Sequence, residues 1–419
     1  MKKMKTFLTA CCILSGGIAA AQVNSLTLDS CYFLARQNYP LVKQHLLIEK
    51  TGEYTISNIS KGFLPQINIA SQATYQSDVT QFPKAIPGIP VLTKDQYRAY
   101  AEVNQPIYDG GVIREQKKLE EASTMVDQQK LEVELYKLKD RINQLFFGVL
   151  LVQAQQKQNE LMKNDIQHGL DKINAAIANG ISLKSSADVL KAELLNANEQ
   201  IVELQANRKA FTDMLGLFIH QQIDANTVFV MPPNITPAQN ISRPELQLYD
   251  FQNKIFDAKN NLLSAHNRPK ISFFVQGGFA KPAFNILSNS FDAFYIGGVR
   301  FTFPISGFYT LKNERSLINL DRQNVSVQKE TFLFNTNVAL QQQNEDIRKL
   351  EKILQTDEEI IALRTHIKET ALAQLNYGVI TSNDYMREVN AENKARQNEI
   401  LHRVQLLVAE YNQRHTIGE

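Results

Sequence analysis

The sequence predicts an α+β membrane protein in which short strand pairs alternate with long helical hairpins. Two stretches, 112–179 and 308–377, contain no proline. An unbroken helix over either would be about 100 Å long, too long for the interior of a compact domain. Residues of alternating polarity precede both stretches. Pro106 and Gly180 are 74 residues apart, as are Pro304 and Gly378, which indicates an internal duplication.

The first 21 residues are predicted to be a secretory signal peptide. Three lysines precede an apolar run over 7–20, and alanines at 19–21 provide small residues for cleavage before Gln22. A lipoprotein signal is the alternative, because Leu8-Thr9-Ala10-Cys11 fits a lipobox, although the apolar run before Cys11 is short. In either case the chain is expected to be exported.

The composition of the remaining chain excludes several classes of protein. Cleavage leaves 42 basic residues (45 less three lysines) against 43 acidic ones, a net charge of −1, so no nucleic-acid partner is expected. Cys31 is the only cysteine left, which excludes an internal disulfide, and it is expected to be a small buried apolar residue. No apolar run approaches the length of a membrane-spanning helix.

Four segments are predicted to be strands of membrane-crossing length, at 65–76, 97–108, 269–280 and 294–304. Each alternates an apolar side with a side rich in amides, charges or small residues, and aromatic residues lie near the strand ends. This pattern is typical of a transmembrane β-barrel strand, with lipid on one side and water on the other. A soluble sandwich hairpin has a similar pattern, so one pair alone leaves both interpretations open.

The helical segments complete two repeats, 22–241 and 242–419, each with a helix, two strands and a long hairpin. The hairpins are predicted at 112–215 and 308–415, and a linker ends the first repeat. Apolar residues recur along them at alternating spacings of four and three, the period of supercoiled helices. In the first hairpin these residues are Leu131, Leu135, Leu138, Ile142, Leu145, Val149, Val152, Leu190, Leu194, Ala197, Ile201, Leu204, Phe211 and Leu215.

A shorter helix is predicted before each strand pair. The first opens at Leu26-Thr27-Leu28-Asp29, with Thr27 or Asp29 as its N-cap, and continues past Pro40 to about residue 61. The second starts with a capping box in which Ser242 is the N-cap and Glu245 the third helical position.

Four strands in one chain cannot close a barrel, and an open sheet edge is not tolerated in lipid. If the strands cross a membrane, several chains must therefore share one barrel. Eight strands leave an interior that side chains nearly fill. We therefore expect a trimer with twelve strands, the smallest arrangement with a plausible bore, whose wall the helical hairpins continue away from the membrane.

Over the whole chain after the signal peptide, this plan resembles the TolC-like outer-membrane efflux proteins. Beyond the duplication, the marks are the strand exits at 106–111 and 304–307 and two turn segments. The turn segments are Asn179-Gly180-Ile181-Ser182 with Ala187-Asp188-Val189-Leu190, and Tyr377-Gly378-Val379-Ile380-Thr381 with Asn383-Asp384-Tyr385. The resemblance implies a homotrimer in the cell outer membrane, whose twelve-stranded barrel continues into an α-helical periplasmic tunnel closed at its far tip. It also implies a passive exit duct that receives substrate from an inner-membrane pump through a periplasmic adaptor.

The resemblance implies two kinds of site at the tip. The adaptor is expected to contact the two turns, at Gly180, Ile181, Ser182, Gly378, Val379, Ile380 and Thr381. Asp384 matches an acidic position that rings the closed aperture in similar proteins, and Asp188 is its counterpart in the first half. The second acid of that ring falls on Arg387, which suggests alternating charges between subunits instead. The structural alternatives are that both glycines only cap helices and that Asp384 is an ordinary N-terminal helix charge.

The polar side of the strands is expected to line the barrel lumen, at Gln66, Asn68, Arg98, Glu102, Gln276 and Arg300. No motif for catalysis, phosphate binding or a metal is present, so an enzyme, a cofactor and a metal site are not expected. The rival interpretation is a periplasmic or surface coiled-coil scaffold without a channel, which would leave the apolar strand faces unexplained. Neither the transported substrate nor the particular pump and adaptor can be inferred from the sequence.

Overall fold

The computed structural model describes residues 25–84, 86–233 and 240–419. The predicted signal peptide, with Cys11, lies outside the described residues, as does part of the predicted linker. The described chain forms two compact units, and each takes segments from both halves of the sequence. The helical unit contains residues 25–38, 141–233 and 350–408, and the sheet unit contains 39–140, 240–349 and 409–419. The division into two sequence repeats stays a prediction.

The elements recur in the order helix, two strands and long helices. In chain order they are β1 (Ser25–Leu26), α1 (Leu28–Asn38), α2 (Gln44–Ser60), β2 (Gln66–Tyr75), β3 (Asp95–Tyr108), α3 (Val112–Tyr136), α4 (Leu138–Ala178), α5 (Lys184–Ile219), β4 (Val228–Phe229), α6 (Pro244–His266), β5 (Lys270–Lys281), β6 (Asp292–Thr302), α7 (Phe308–Asn376) and α8 (Ser382–Ile417). None of the described helices has an apolar stretch long enough to cross a lipid bilayer.

The first helix begins as expected but is shorter than predicted. The Thr27 hydroxyl accepts a hydrogen bond from the Ser30 amide (3.2 Å), while the Thr27 amide donates to the Ser30 hydroxyl (3.1 Å). Thr27 is therefore the N-cap of α1. The predicted continuation past Pro40 is interrupted, because Tyr39 has the extended conformation that a residue before proline prefers. A short 3₁₀ turn over Pro40–Lys43 then leads into α2.

The long helix predicted from residue 112 is divided at Lys137 into α3 and α4. The residues beside the division are held by the C-terminal segment of the sheet unit. The Tyr136 hydroxyl donates to the His415 carbonyl (2.7 Å), and the Lys139 ammonium donates to the Glu419 carbonyl (2.7 Å). The Tyr136 ring also stacks on the His415 ring at 4.3 Å. These tertiary bonds flank the division, and the sequence period does not reveal them.

The predicted capping box at α6 is wrong. The helix begins at Pro244 with Arg243 as its N-cap, and no side chain caps it. Proline fits the first helical position because its fixed φ suits a helix and it has no amide hydrogen to satisfy. Ser242 instead donates to the Gly418 carbonyl (3.3 Å), and Glu245 forms an ion pair with Arg243.

The sheet unit contains one antiparallel sheet with the strand order β2-β3-β5-β6. In the register, Asn68 is opposite Glu102, and Glu102 is opposite Gln276, so residues of equal parity share one face. This polar face carries all six residues predicted to line a lumen. On the opposite, apolar face, Ile69 is 86% exposed and Tyr295 is 85% exposed.

The helical unit has a core made by four helices. It joins Ile166 of α4, Leu190 of α5, Leu375 of α7 and Tyr385 of α8, with further apolar residues of the same helices around them. Three of these four side chains are fully buried. The core lies directly behind the turns that link α4 to α5 and α7 to α8, because Ile177 and Ile380 pack against it.

Candidate functional site

The two hairpin turns of the helical unit have the same backbone conformation. Gly180 and Gly378 have φ values of +69° and +70°, in the left-handed region that glycine adopts without strain. The Ile181 amide donates to the Ala176 carbonyl (2.9 Å), and the Val379 amide donates to the Gln374 carbonyl (2.9 Å). Both turns are Schellman motifs, so the predicted glycine caps are confirmed.

Around each glycine, apolar side chains are exposed to solvent. Ile181 and Leu183 are exposed at the first turn, and Tyr377 and Val379 at the second. Ser182 and Ile380 are half-buried, and Thr381 is exposed at the start of α8. An exposed apolar group at the end of a hairpin is a surface that a protein partner could cover. The contact with an adaptor stays a prediction.

Asp384 forms a capping interaction at the start of α8. Its carboxylate accepts hydrogen bonds from the Thr381 hydroxyl (2.7 Å) and the Thr381 amide (3.1 Å), and the Asp384 amide donates to the Thr381 hydroxyl (3.2 Å). The bond from the Thr381 hydroxyl, the bond from the Thr381 amide and the charge of Arg387 lower the pKa of Asp384. The structural alternative for this residue is therefore confirmed, and a gating role would be additional to it.

The other two gate candidates have different surroundings. Arg387 lies 3.8 Å from Asp384 and 3.1 Å from Glu388, within the same helix. Asp188 is the fifth residue of α5, whereas Asp384 is the third residue of α8. Asp188 pairs with Lys191 at 3.5 Å, and α5 has no side-chain cap. Asp188 therefore does not have the capping role of Asp384.

A buried tyrosine connects the two hairpins behind the turns. Tyr385 is 1% exposed, and its hydroxyl donates to the Asp165 carbonyl of α4 (3.3 Å). Its ring lies over Gly169, where an added Cβ would be 2.8 Å from the ring. Burial, followed by the charges of Asp165 and Glu392, raises the pKa of the Tyr385 hydroxyl, which therefore stays protonated. Glycine at 169 allows α4 and α8 to approach this closely.

A charged network lies beside Tyr385. The Lys368 ammonium of α7 is 2.7 Å from Asp165 of α4 and 3.2 Å from Glu392 of α8, and it therefore links three helices. Glu392, whose side chain is 4% exposed, also accepts from Arg396 (2.6 Å) and from the Thr365 hydroxyl (3.1 Å).

The pKa values in this network follow from its pairing. Burial alone would lower the pKa of Lys368, but the hydrogen bonds and charges of its two acidic partners raise it overall. Burial would likewise raise the pKa of Glu392, but Arg396 and Lys368 lower it overall. Both groups are therefore charged at neutral pH, and the attraction of Lys368 for Asp165 and for Glu392 links α4, α7 and α8.

The second candidate site is the polar face of the sheet. Glu102 is 3.3 Å from Arg300 and accepts from the Gln276 amide (2.5 Å), while Arg98 donates to Gln276 Oε1 (3.3 Å). These four predicted lumen residues therefore form one connected network across β3, β5 and β6. Gln66 and Asn68 are on the same face at the edge strand β2, and Gln66 donates to the Leu64 carbonyl (2.9 Å).

Sequence reasoning missed Asp165, Lys368 and Glu392, because charges on long amphipathic helices usually face water. It also missed the pair formed by Gly169 and Tyr385. A glycine inside a helix is costly and often marks a close approach, so Gly169 was the one available signal.

No protein-family model matches the chain, and no curated protein matches it in sequence. Solved structures match it in fold. CusC, described in connection with transmembrane channel formation, matches with a TM-score of 0.67 and 12% identity, over 93% of this chain and 92% of CusC. The outer-membrane protein VceC of Vibrio cholerae gives 0.64 and 13%, over 93% and 96%. The outer-membrane channel CmeC of Campylobacter jejuni gives 0.62 and 12%, over 93% and 85%.

Proposed function

Because the chain has the fold of the TolC-family outer-membrane efflux channels, we propose that it is the outer-membrane exit duct of a tripartite efflux or secretion system. Three copies share one β-barrel, and the helical hairpins form a tunnel in the periplasm. An inner-membrane pump supplies the substrate through an adaptor, and the duct conducts it passively without chemistry.

The exposed apolar face of the sheet is the observation that carries this proposal. Ile67, Ile69, Tyr295, Val299 and Phe301 are all exposed on it. An apolar surface of this extent is unfavourable in water but suits the hydrocarbon of a bilayer. A soluble coiled-coil scaffold, the rival function, would leave this surface in water.

The sheet edges support a shared barrel. β2 and β6 are the outer strands of the sheet, so each offers a row of backbone groups to a neighbour. Lipid cannot satisfy these groups, and copies of the chain can do so by placing β6 of one beside β2 of the next. Twelve strands from three chains leave a water-filled bore.

An arginine on either face of β2 tests this arrangement. Ile69→Arg is expected to destabilise the inserted barrel by about 2–4 kcal/mol per chain, since a charge near the bilayer midplane must leave water. The neighbouring Asn68→Arg places the same group on the polar face and is expected to insert normally. The measurement is the amount of protein in detergent-extracted outer membranes that migrates as an oligomer when the sample is loaded on a gel without heating. Recovery of both variants in the soluble periplasm, together with the wild type, would instead support a scaffold.

We extend the proposal to the turns of the helical unit. The exposed apolar side chains at Ile181 and Val379 form the contact for a periplasmic adaptor, as the resemblance implies. Their exposure supports this role, since a partner can reach both side chains. The hydrogen bonds of the two Schellman turns fix the backbone that carries them. Pull-down of an adaptor by the solubilised wild type, but not by a variant with aspartate at both positions, is the test.

Asp384 is proposed to form a ring of three carboxylates at the closed aperture, where like charges attract cations and repel one another. Asp384→Asn removes the charge but keeps an oxygen that accepts from Thr381. It is expected to weaken block by added multivalent cations, which the carboxylate ring attracts, and to change the conductance of the purified trimer in planar bilayers.

Thr381→Ala is the matched control for this gate, because it breaks the two capping bonds of the Thr381 hydroxyl and leaves the carboxylate in place. If Thr381→Ala changes the conductance as much as Asp384→Asn does, Asp384 is a helix cap and not a gate.

A further inference from the structure

The two arginines on the polar face of the sheet have different partners. Arg300 has the carboxylate of Glu102 at 3.3 Å. Among the described residues, no carboxylate lies within 4.0 Å of Arg98. Its guanidinium donates to Gln276 Oε1 at 3.3 Å, and its Nε is buried without a hydrogen-bond partner. Arg98 therefore has a positive charge and donor capacity that the chain itself does not use.

Aromatic rings hold the Arg98 guanidinium in place. Its Cζ is 4.9 Å from the centre of the Tyr100 ring and 4.6 Å from that of Phe294. Tyr100 fits here because Gly278 is its cross-strand partner, where an added Cβ would come within 2.7 Å of the Tyr100 Cβ. Rings on a guanidinium displace water from its faces and fix its orientation, but they do not occupy its hydrogen-bonding edge.

The aromatic rings around Arg98 are extended by a residue of the loop between β5 and β6. Phe284 contacts the Phe294 ring edge-on, with 5.1 Å between ring centres, and is itself 58% exposed. The loop is tied to the loop between β2 and β3, since the Thr93 hydroxyl donates to Asn289 Oδ1 at 3.2 Å. An exposed ring thus packs against the same Phe294 ring that lies over the Arg98 guanidinium.

We propose that Arg98, Tyr100, Phe284 and Phe294 form a subsite for aromatic anions, meaning a carboxylate or sulfonate carried on an aromatic ring. The anion accepts hydrogen bonds from the Arg98 guanidinium, and the attached ring packs on Phe284. The proposal rests on the proposed function, in which this face lines the lumen, and it adds the substrate class that the barrel favours.

The charge of the whole face is consistent with this preference. By strand parity, Arg98, Arg300 and Lys270 share the face with Glu102 and Asp292. Three basic groups against two acidic ones leave a net charge of +1 per chain. Lys270 lies at the opposite end of β5 from Phe279 and Ala280, opposite Thr302, and has no ring contact among the described residues.

The test uses benzenesulfonate as the probe, with methanesulfonate and benzyltrimethylammonium as comparisons. In planar bilayers containing the wild-type trimer, benzenesulfonate is expected to reduce the current at lower concentrations than either comparison. Calorimetric titration of the detergent-solubilised trimer with benzenesulfonate gives a second measurement that does not depend on the state of the tip. Arg98→Gln is expected to weaken both effects at least about tenfold, the value of a hydrogen bond to a charged group.

Lys270→Gln is the matched control, because it removes the same charge from the same face and leaves the aromatic group intact. It is expected to change probe affinity less than about twofold, since Lys270 is distant from the aromatic group and its charge is screened by salt. Equal loss in the two variants, or no loss in Arg98→Gln, overturns the subsite while leaving the duct in place. A wild-type protein that does not reach the outer membrane contradicts the duct itself.

Discussion

Tyr385→Ala is expected to lower the free energy of unfolding of the helical unit by about 3–5 kcal/mol, the usual cost of truncating a large buried aromatic side chain. The ring is 1% exposed and belongs to the core formed by α4, α5, α7 and α8. Its removal leaves a cavity next to Gly169, which has no side chain to fill it. The measurement is the shift of the urea midpoint, followed by helical circular dichroism of the solubilised protein.

Tyr385→Phe separates packing from hydrogen bonding. It removes only the bond from the hydroxyl to the Asp165 carbonyl at 3.3 Å, so a loss of about 1 kcal/mol is expected. Gly169→Ala tests the same contact from α4, because its new Cβ would meet the ring at 2.8 Å and force a shift. If Tyr385→Ala behaves like Tyr385→Phe, the ring does not hold the two hairpins together.

The heptad positions show what the sequence could predict. Leu135, Ile142, Val149 and Leu190 were expected on the seam, and all are buried. The heptad period predicts these buried positions because the spacing of residues along a helix determines which side of the helix each one occupies. Phe146 and Phe147 are also fully buried. They are adjacent, so they cannot both occupy seam positions, which are three or four residues apart. Phe146 contacts Phe229 of β4 (5.4 Å between ring centres), a partner that no helical period could indicate.

The strands were predicted by the same local reasoning, since alternation assigns each residue to one face of the sheet. Pairing between strands was not fixed by the pattern. Glu102 reaches Gln276 across 174 residues of sequence, and Lys368 reaches Asp165 across 203. Such contacts depend on the register of separate segments, which a period does not determine. The bonds from Lys139, beside the division at Lys137, and from Ser242, at the failed capping box, to C-terminal carbonyls are contacts of the same long-range kind.

The candidate sites differ in how many of their residues could be predicted from the sequence. Both glycine turns and Asp384 were located, since a left-handed cap and an acid in the first turn of a helix have local signatures. The buried surroundings of Lys368 were not predicted, because a lysine on a helix is usually solvated. Its role became visible only when the structure placed two carboxylates around it.

Lys368→Met is expected to lower the stability of the helical unit by about 2 kcal/mol, less than the roughly 3–5 kcal/mol for breaking a fully buried ion pair, because this network is partly exposed. Methionine keeps the apolar stem of lysine and removes the ammonium that joins α4, α7 and α8. Asp165 is partly exposed and can regain water, whereas Glu392 is buried and keeps Arg396 as its partner. With the three helices less tightly joined, the conductance of the proposed trimer is expected to rise.

The pH dependence of this effect has a definite sign. The pKa of Glu392 is lowered in the folded chain, so its contribution is present above its ordinary value of 4.5 and is lost as the pH falls further. The pKa of Lys368 is raised, so its contribution is present below its ordinary value of 10.5 and is lost as the pH rises further. The stability difference between wild type and Lys368→Met is therefore expected to be constant from pH 6 to 9 and to shrink in acid.

Lys209→Met is the control for Lys368→Met, because Lys209 pairs with Asp213 on the exposed surface of α5 in the same unit. Exposed pairs of this kind contribute little, so a change below about 0.5 kcal/mol and an unaltered conductance are expected. Asp165→Asn in the Lys368→Met background should add little further loss, since the partner of Asp165 is already gone. Additive effects of these two substitutions would show that Lys368 and Asp165 act independently and that the network does not join the hairpins.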